Sequence, residues 1–407
     1  MVQYRRAWAE IDLAAVAHNA ALLRAVVAPA ALCAVVKADG YSHGAVAIAE
    51  AAVAGGASVL AVALVEEGLA LRAAGITAPV RRLSEPPPAA IAAAVAAGLT
   101  PTLYSTTGLR AAAAAAGAAG RVVPVQVKVD TGMHRVGVAP SELVALAKEL
   151  AREPDLLLEG LWTHFAVADD PADPFTALQL ARFEEARADL AAVGIQPRLL
   201  HAANSAGALA HPASRFDLVR CGIALYGYPP SEALAPLVGE ASGGGALAPV
   251  LSLRAEVHAV RRLAAGERPS YGRRYALPAD TVVATVPLGY ADGVPRAYFD
   301  GGGEVLIGGR RRRLAGTVTM DQLLVDVGDD RGVHPGDEVV LIGRQGDEVI
   351  DAAEWACKLH TIAYEVLLGI GPRVPRRPVG VAGAPVYALP VHRDGHGRAP
   401  GADEYDD

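Results

Sequence analysis

Eight short apolar runs recur across the first half of the chain, and the stretches between them carry apolar residues at helical spacing. The runs are Leu32 to Val36, Val59 to Ala63, Val80 to Leu83, Leu99 to Leu103, Val122 to Val129, Leu156 to Trp162, Arg198 to His201 and Leu218 to Leu225. Leu143 to Ala151 and Leu178 to Val193 are two of the helical stretches. Eight strands alternating with helices over roughly 230 residues predict an α/β chain whose N-terminal part is a (β/α)8 TIM-like barrel. A doubly wound sheet is the competing reading. It lacks the Gly-x-Gly-x-x-Gly after the first strand that dinucleotide binding needs.

The pattern changes after Pro229-Pro230 and the loose Gly239 to Gly245 region. Leu251 to Val260, Thr281 to Val286, Glu304 to Ile307, Gly316 to Val327 and Glu338 to Ile342 read as strands. Asp292-Gly293, Gly308-Gly309 and Pro335-Gly336 punctuate them as turns. This predicts a C-terminal all-β domain over 241–380 after a barrel over 1–240. The Pro-, Gly- and charge-rich residues 381–407 read as a disordered tail. Trp8 to Ile11 reads as a strand that leaves the barrel, with residues 1–11 packing against the β domain. Asp12 then caps the following helix. Arg310 to Arg313 reads as a solvated edge strand whose charges discourage further pairing.

The net charge of -7 argues against a general nucleic-acid binder. The hydrophobic share is 52%, yet no run approaches the ~18 strongly apolar residues of a membrane span. Cys33, Cys221 and Cys357 are odd in number, far apart, and outside any metal-ligand spacing. The start of the chain has no apolar core or cleavage site of a secretory signal. Together these predict a soluble cytoplasmic protein with no metal and no membrane partner.

In a parallel barrel, reactive groups gather at the carboxyl ends of the strands. Lys37 ends the first run, in Val36-Lys37-Ala38-Asp39-Gly40-Tyr41-Ser42-His43. Read alone, it is either an ordinary charge at the strand edge or a poorly solvated amine of lowered pKa, ready to attack a carbonyl. Lys128 and Asp130 end the fifth run, with Arg135 just beyond, and His164 ends the sixth. Asn204 and Ser205 end the seventh, and Arg220, Gly222 and Ile223 lie on the eighth.

In this order and at these separations, the motifs from about Trp8 to Pro375 resemble the alanine racemase family of pyridoxal-phosphate (PLP) enzymes. The resemblance implies that Lys37 forms a Schiff base with PLP, and that Tyr41, Ser205, Gly222, Ile223 and Tyr364 hold its phosphate beside Asn204. It implies that Arg220 faces the pyridine nitrogen, with His164 holding Arg220 in place. It also implies a homodimer with shared active sites, in which Tyr271 of Pro269-Ser270-Tyr271-Gly272 is offered by the partner subunit as the second base. Racemisation calls for a base on each face of Cα, because one monoprotic base returns its proton to the side it came from. A phenol is a poor base at neutral pH unless cations lie near it, and Arg135 and the Arg220–His164 pair are the candidates. By the same resemblance, Tyr290 gates the entrance, Met320 and Asp321 meet the substrate carboxylate with the Met320 backbone N–H as donor, Arg135 holds that carboxylate or the PLP 3′-oxygen, and Lys128 is a position open to carbamylation.

The expected activity is interconversion of L- and D-alanine, supplying D-alanine for peptidoglycan. A broad-specificity amino-acid racemase and a non-catalytic PLP-binding barrel are the alternatives. A basic amino-acid decarboxylase is disfavoured, because that chemistry pairs the ring nitrogen with a carboxylate where this chain has Arg220. Three positions depart from the family pattern: Ser42 and His134 where glycine is usual or common, and Leu368 where cysteine is often found.

Overall fold

A computed structural model describes residues 5–380, so the expectation for residues 381–407 lies outside the described residues. The chain starts with β1 (Ala7–Asp12), and Asp12 accepts a hydrogen bond from the Ala15 amide at 3.0 Å to cap the helix Leu13–Val27. The barrel strands follow: β2 (Ala31–Val35), β3 (Val59–Val62), β4 (Val80–Arg82), β5 (Leu99–Thr100), β6 (Thr102–Leu103), β7 (Val123–Lys128), β8 (Leu156–Trp162), β9 (Leu199–His201) and β10 (Leu218–Cys221). All pair in parallel, in the orders β10-β2-β3-β4-β5 and β6-β7-β8-β9.

The run Leu99 to Leu103 is one strand split in two at Pro101, which has no N–H to give to a ladder. On the other side the cylinder closes where Asp217 N donates to Leu200 O at 3.1 Å and Arg220 N to Ala203 O at 3.0 Å. The eighth run is shorter than its apolar residues suggest. Its strand stops at Cys221, Gly222 follows, and Ile223–Tyr226 winds into a short 3-10 helix. Gly222 and Ile223 therefore lie beyond the strand rather than on it.

The second half is β-rich. It contains β11 (Leu251–Glu256), β12 (Ala259–Leu263), β13 (Thr281–Val286), β14 (Glu304–Ile307), β15 (Arg310–Arg313), β16 (Leu323–Gly328), β17 (Glu338–Gln345), β18 (Glu348–Ile350) and β19 (Arg376–Val379). Strand β1 belongs to this half, antiparallel to β11 and parallel to β19. Leu251 to Val260 is two strands in two sheets, since β12 turns away to pair with β13. Of Gly316 to Val327 only the portion from Leu323 onward is strand, and residues 316–322 form a loop. Helices Ala352–Leu359 and Ala363–Gly369 follow the last predicted strand, the first capped by Asp351 through the Glu354 amide at 2.7 Å.

The arginine run is the edge strand β15, but two of its members face carboxylates rather than water alone. Arg311 pairs with Glu304, Glu348 and Glu354, and Arg312 with Asp330.

Candidate active site

A cavity of about 410 Å³ opens at the carboxyl ends of the barrel strands, within the ~300–1,000 Å³ range of small-molecule sites. Lys37, Tyr41, Arg135, His164, Asn204, Ser205, Arg220, Gly222, Ile223 and Tyr364 all line it. Leu83, Ser84, Trp162 and Leu368 complete parts of the wall.

Lys37 enters this cavity through an unusual backbone. Ala38 (φ 53, ψ 52), Asp39 (52, 46), Gly40 (61, 47) and Tyr41 (53, 43) are left-handed in succession, and Ser42 (φ 66) continues the run. The left-handed conformation costs about 1–2 kcal/mol for each residue with a Cβ, and only Gly40 escapes that cost. Local bonds oppose it: Ala38 N donates to Glu67 Oε1 at 2.7 Å, Gly40 N to Val36 O at 2.9 Å, and Ala45 N to Asp39 Oδ1 at 2.9 Å. The turn folds Tyr41 back against Tyr226, with stacked ring centres 4.6 Å apart, and brings it 6.1 Å from the Tyr364 ring. A Cβ on Gly222 would meet the Tyr41 hydroxyl at 2.5 Å, so no larger residue fits there without moving the phenol.

The Lys37 amine is half-buried, and its pKa is lowered first by burial and then by the Arg135 charge, with Glu67 opposing. This moves the amine toward its neutral, nucleophilic form. The Ser205 hydroxyl accepts the Gly222 N–H at 2.9 Å. That amide, expected to face a phosphate, is therefore engaged with Ser205, while the serine O–H is left to donate. Asn204 caps the short helix Ser205–Ala210 through the Gly207 amide at 2.9 Å and so orients Ser205.

Arg220 is buried on β10 and held on several sides. Nη1 lies 2.7 Å from His201 Nδ1, and Nη2 donates to Thr163 O at 2.8 Å and Ala202 O at 2.9 Å. His164 Nδ1 is at 3.4 Å. The partner role assigned to His164 thus falls mainly to His201, an inward residue of β9 that the sequence reading named only as part of a strand. His201 Nε2 meets Gln126 Oε1 at 3.0 Å, Gln126 meets Glu159 at 3.4 Å, and Glu159 pairs with Arg81 at 3.0 Å. The first and last of these bonds join strands that are not neighbours, β9 to β7 and β8 to β4, so they run through the barrel interior. Burial lowers the Arg220 pKa to about 10, which still leaves a cation at neutral pH. Trp162 stacks on His201, and the Arg220 guanidinium carbon lies 4.7 Å from the indole centre.

Lys128 lies outside the cavity lining, fully buried with its amine 5.0 Å from the Trp162 ring. Burial, then Arg135 and Arg220, bring its pKa down to about 8.

The remaining predicted residues sit elsewhere. Tyr271, Tyr290, Met320 and Asp321 do not line the cavity of their own chain. Tyr271 is 69% exposed, Met320 52% and Tyr290 44%. They share one ridge of the β-rich half. Thr317 Oγ1 donates to Tyr271 O at 3.0 Å, Tyr290 N to Thr319 O at 3.0 Å, and Ala291 N to Met320 O at 3.0 Å. Gly289 lets these loops meet, since a Cβ there would fall 2.3 Å from Thr319 O and Met320 O. Asp321 is tied to Arg373 at 2.7 Å.

Two buried histidines, His43 and His201, and the cavity-lining His164 make an acid-sensitive set. Burial holds His43 down to about 4 and pushes His164 and His201 well below the usual value, with Arg220 adding to the last two. A histidine protonated more readily unfolded than folded takes up protons on unfolding between the two pKa values. Its stabilising effect is complete above ~6.5 and is lost as the pH falls toward 4, at up to ~1.4 kcal/mol per pH unit for each residue. Urea unfolding at pH 7.5, 6 and 5 should therefore show stability falling steeply with acid. A flat profile would contradict the neutral assignment.

Among the described residues no group of His, Cys, Asp and Glu converges to hold a metal ion, and no helix is long and apolar enough to cross a membrane.

Residues 11–230 match the family described as alanine racemase, N-terminal domain, and residues 250–378 match alanine racemase, C-terminal domain. The alanine racemase of Symbiobacterium thermophilum is 46% identical over 91% of this chain and 97% of that protein. The alanine racemase of Thermobifida fusca is 43% identical over 90% and 96%. Among solved structures, the alanine racemase of Streptomyces lavendulae superposes with a TM-score of 0.87 at 40% identity, over 93% of this chain and 98% of that one. A histidine racemase from Leuconostoc mesenteroides does so with a TM-score of 0.84 at 30% identity, over 93% and 99%. With family matches in both halves and a cavity at the barrel mouth lined by Lys37 and Arg220, the chain belongs to the alanine racemase family.

Proposed function

We propose that the chain interconverts L- and D-alanine with pyridoxal phosphate, by a two-base mechanism shared between the subunits of a homodimer. The observation that carries this reading is the joint lining of one cavity by an amine of lowered pKa, Lys37, and a buried permanent cation, Arg220. The donors present fit the cofactor. Lys37 would hold its carbonyl carbon, and Tyr41, Ser205, Ile223 and Tyr364 bring hydroxyls and an amide suited to a phosphate. Arg220 would donate a hydrogen bond to the ring nitrogen and has no proton to release to it near neutral pH, which would keep that nitrogen unprotonated. When bound, pyridoxal phosphate supplies an electron sink for the negative charge left at Cα.

The chain's own residues then move protons. Lys37 Nζ takes or returns a proton on one face of Cα, and its lowered pKa favours the neutral amine that this requires. Tyr271 Oη, from the second subunit, serves the other face. Its exposure on a braced ridge, away from its own chain's cavity, supports delivery across an interface. The Met320 backbone N–H, beside Asp321 on the ridge that the second subunit offers, meets the substrate carboxylate, Arg135 holds that carboxylate or the cofactor's 3′-oxygen, and Tyr290 stands at the entrance. The lowered pKa of Lys128 supports its carbamylation: the neutral amine would attack the carbon of CO2 and lose a proton, leaving an anion beside Arg135. A cytoplasmic enzyme supplying D-alanine for peptidoglycan is the physiological counterpart of this reading.

The similarity to a histidine racemase favours one second reading, a broader substrate range on the same machinery. Racemisation assays of the purified protein with alanine, serine, lysine and histidine separate the two, and no turnover of alanine would overturn the proposal. Arg220 provides a further test. Arg220→Glu should raise transamination relative to racemisation at least about tenfold, because a carboxylate lets the ring nitrogen take a proton and makes a stronger sink. An unchanged ratio, read from pyruvate and the two alanine enantiomers, would refute the assignment.

A further inference from the structure

Arg376 begins β19 and spends its guanidinium on backbone carbonyl oxygens. Nε donates to Ser42 O at 2.8 Å, Nη1 to Gly371 O at 2.5 Å and Val374 O at 2.6 Å, and Nη2 to Ile370 O. Among the described residues it makes no ion pair. The planar fork of arginine, with five donors in fixed directions, suits such a multiple contact in a way that a lysine ammonium does not.

The two segments it joins matter for the cavity. Ser42 is the last residue of the left-handed turn that carries Lys37 and Tyr41. Residues 370–374 continue directly from the helix Ala363–Gly369, which carries Tyr364. A second bond makes the same connection, since Ser42 Oγ donates to Leu368 O at 3.2 Å. Ser42 thus gives one hydrogen bond and accepts another across the gap, from a backbone conformation (φ 66) that favours glycine. Nothing within the turn itself accounts for a serine there. Strained backbone persists when the surrounding structure over-determines it, and these two ties are contacts of that kind.

We propose that Arg376 and Ser42 form a positioning clamp, which holds the left-handed turn and the Tyr364 helix in fixed relation so that Lys37, Tyr41 and Tyr364 address one ligand together. Neither residue lines the cavity, so neither is catalytic. The clamp rests on the reading of that cavity as a pyridoxal-phosphate site.

The test uses the full chain stripped of cofactor, with pyridoxal phosphate titrated by fluorescence at a temperature where every variant is folded. Arg376→Gln should weaken cofactor binding about tenfold or more, equivalent to ~1.4 kcal/mol or more. Arg376→Lys should fall between Gln and the native residue, because one ammonium cannot reach all four carbonyls. Ser42→Ala, which leaves Arg376 in place, should weaken binding about threefold, and the double variant should lose less than the product of the single losses. The pH titration of the visible band of the loaded enzyme should shift with the same ranking, while KM for alanine moves less than the cofactor affinity.

If Arg376→Gln lowers the thermal midpoint yet binds the cofactor like the native chain, Arg376 is only a structural brace and the proposal fails. If that variant does not fold, Ser42→Ala decides, and unchanged affinity and band titration overturn the clamp. A native chain that binds no pyridoxal phosphate would instead refute the cofactor reading, which is a distinct outcome.

Discussion

Replacing Lys37 with alanine will lower alanine racemisation by at least about 10⁴-fold, the upper range for losing a positioned base, because this amine serves both as cofactor anchor and as proton carrier. In the native protein, borohydride treatment of the cofactor-loaded chain followed by peptide mapping will place the label on Lys37. The physical ground is local. The strand β2 is buried from Leu32 to Val35, and the next side chain to reach polar chemistry is the half-buried lysine at the cavity. Burial costs the charged form more than the neutral one, so the pKa of the amine is lowered toward its nucleophilic form. A label on another lysine, such as Lys128, would sink the assignment.

The second large effect concerns Tyr271. Tyr271→Phe removes one oxygen from an exposed side chain, so folding and cofactor affinity should be unchanged. Exchange of the L-alanine α-proton with solvent should nonetheless fall by roughly 10²–10⁴, the range expected for one acid–base group. Delivery of this phenol in trans has a sharper consequence. Mixing Lys37→Ala and Tyr271→Phe chains, each inactive alone, should restore about a quarter of native activity. Half of the randomly assembled dimers are mixed, and each mixed dimer holds one intact site of two. If Tyr271 acted within its own chain, no mixture would recover activity. Native-like exchange by the Tyr271→Phe protein alone would end the two-base scheme.

Much of the site was readable because its residues sit at recurring places in a repeating fold. Lys37, His164 and Asn204 each close an apolar run and Arg220 lies within the last one, and a parallel barrel turns that one-dimensional rhythm into a ring of side chains around one mouth. Other features were hidden by the same locality. Pro101 splits a strand that its apolar neighbours make continuous. The Asp351 cap, an Asp followed three residues later by Glu354, was a usable sign of the helix that the strand reading stopped short of. His201 could have been suspected from its inward position on β9, but its bond to Arg220 depends on how the barrel closes, which neither segment records.

Periodicity, turn residues and the spacing of motifs are properties of neighbours along the chain. They determined that this protein would build a parallel barrel followed by a β-rich half, and would present a lysine and an arginine at the barrel mouth. The tertiary structure alone decided the backbone that presents the lysine. Ala38, Asp39 and Tyr41 each disfavour a left-handed conformation, yet they adopt it next to a serine bonded to an arginine 334 positions away. Propensity acts within a few residues, whereas strain of this kind is balanced by distant contacts that exist only once the two halves have come together.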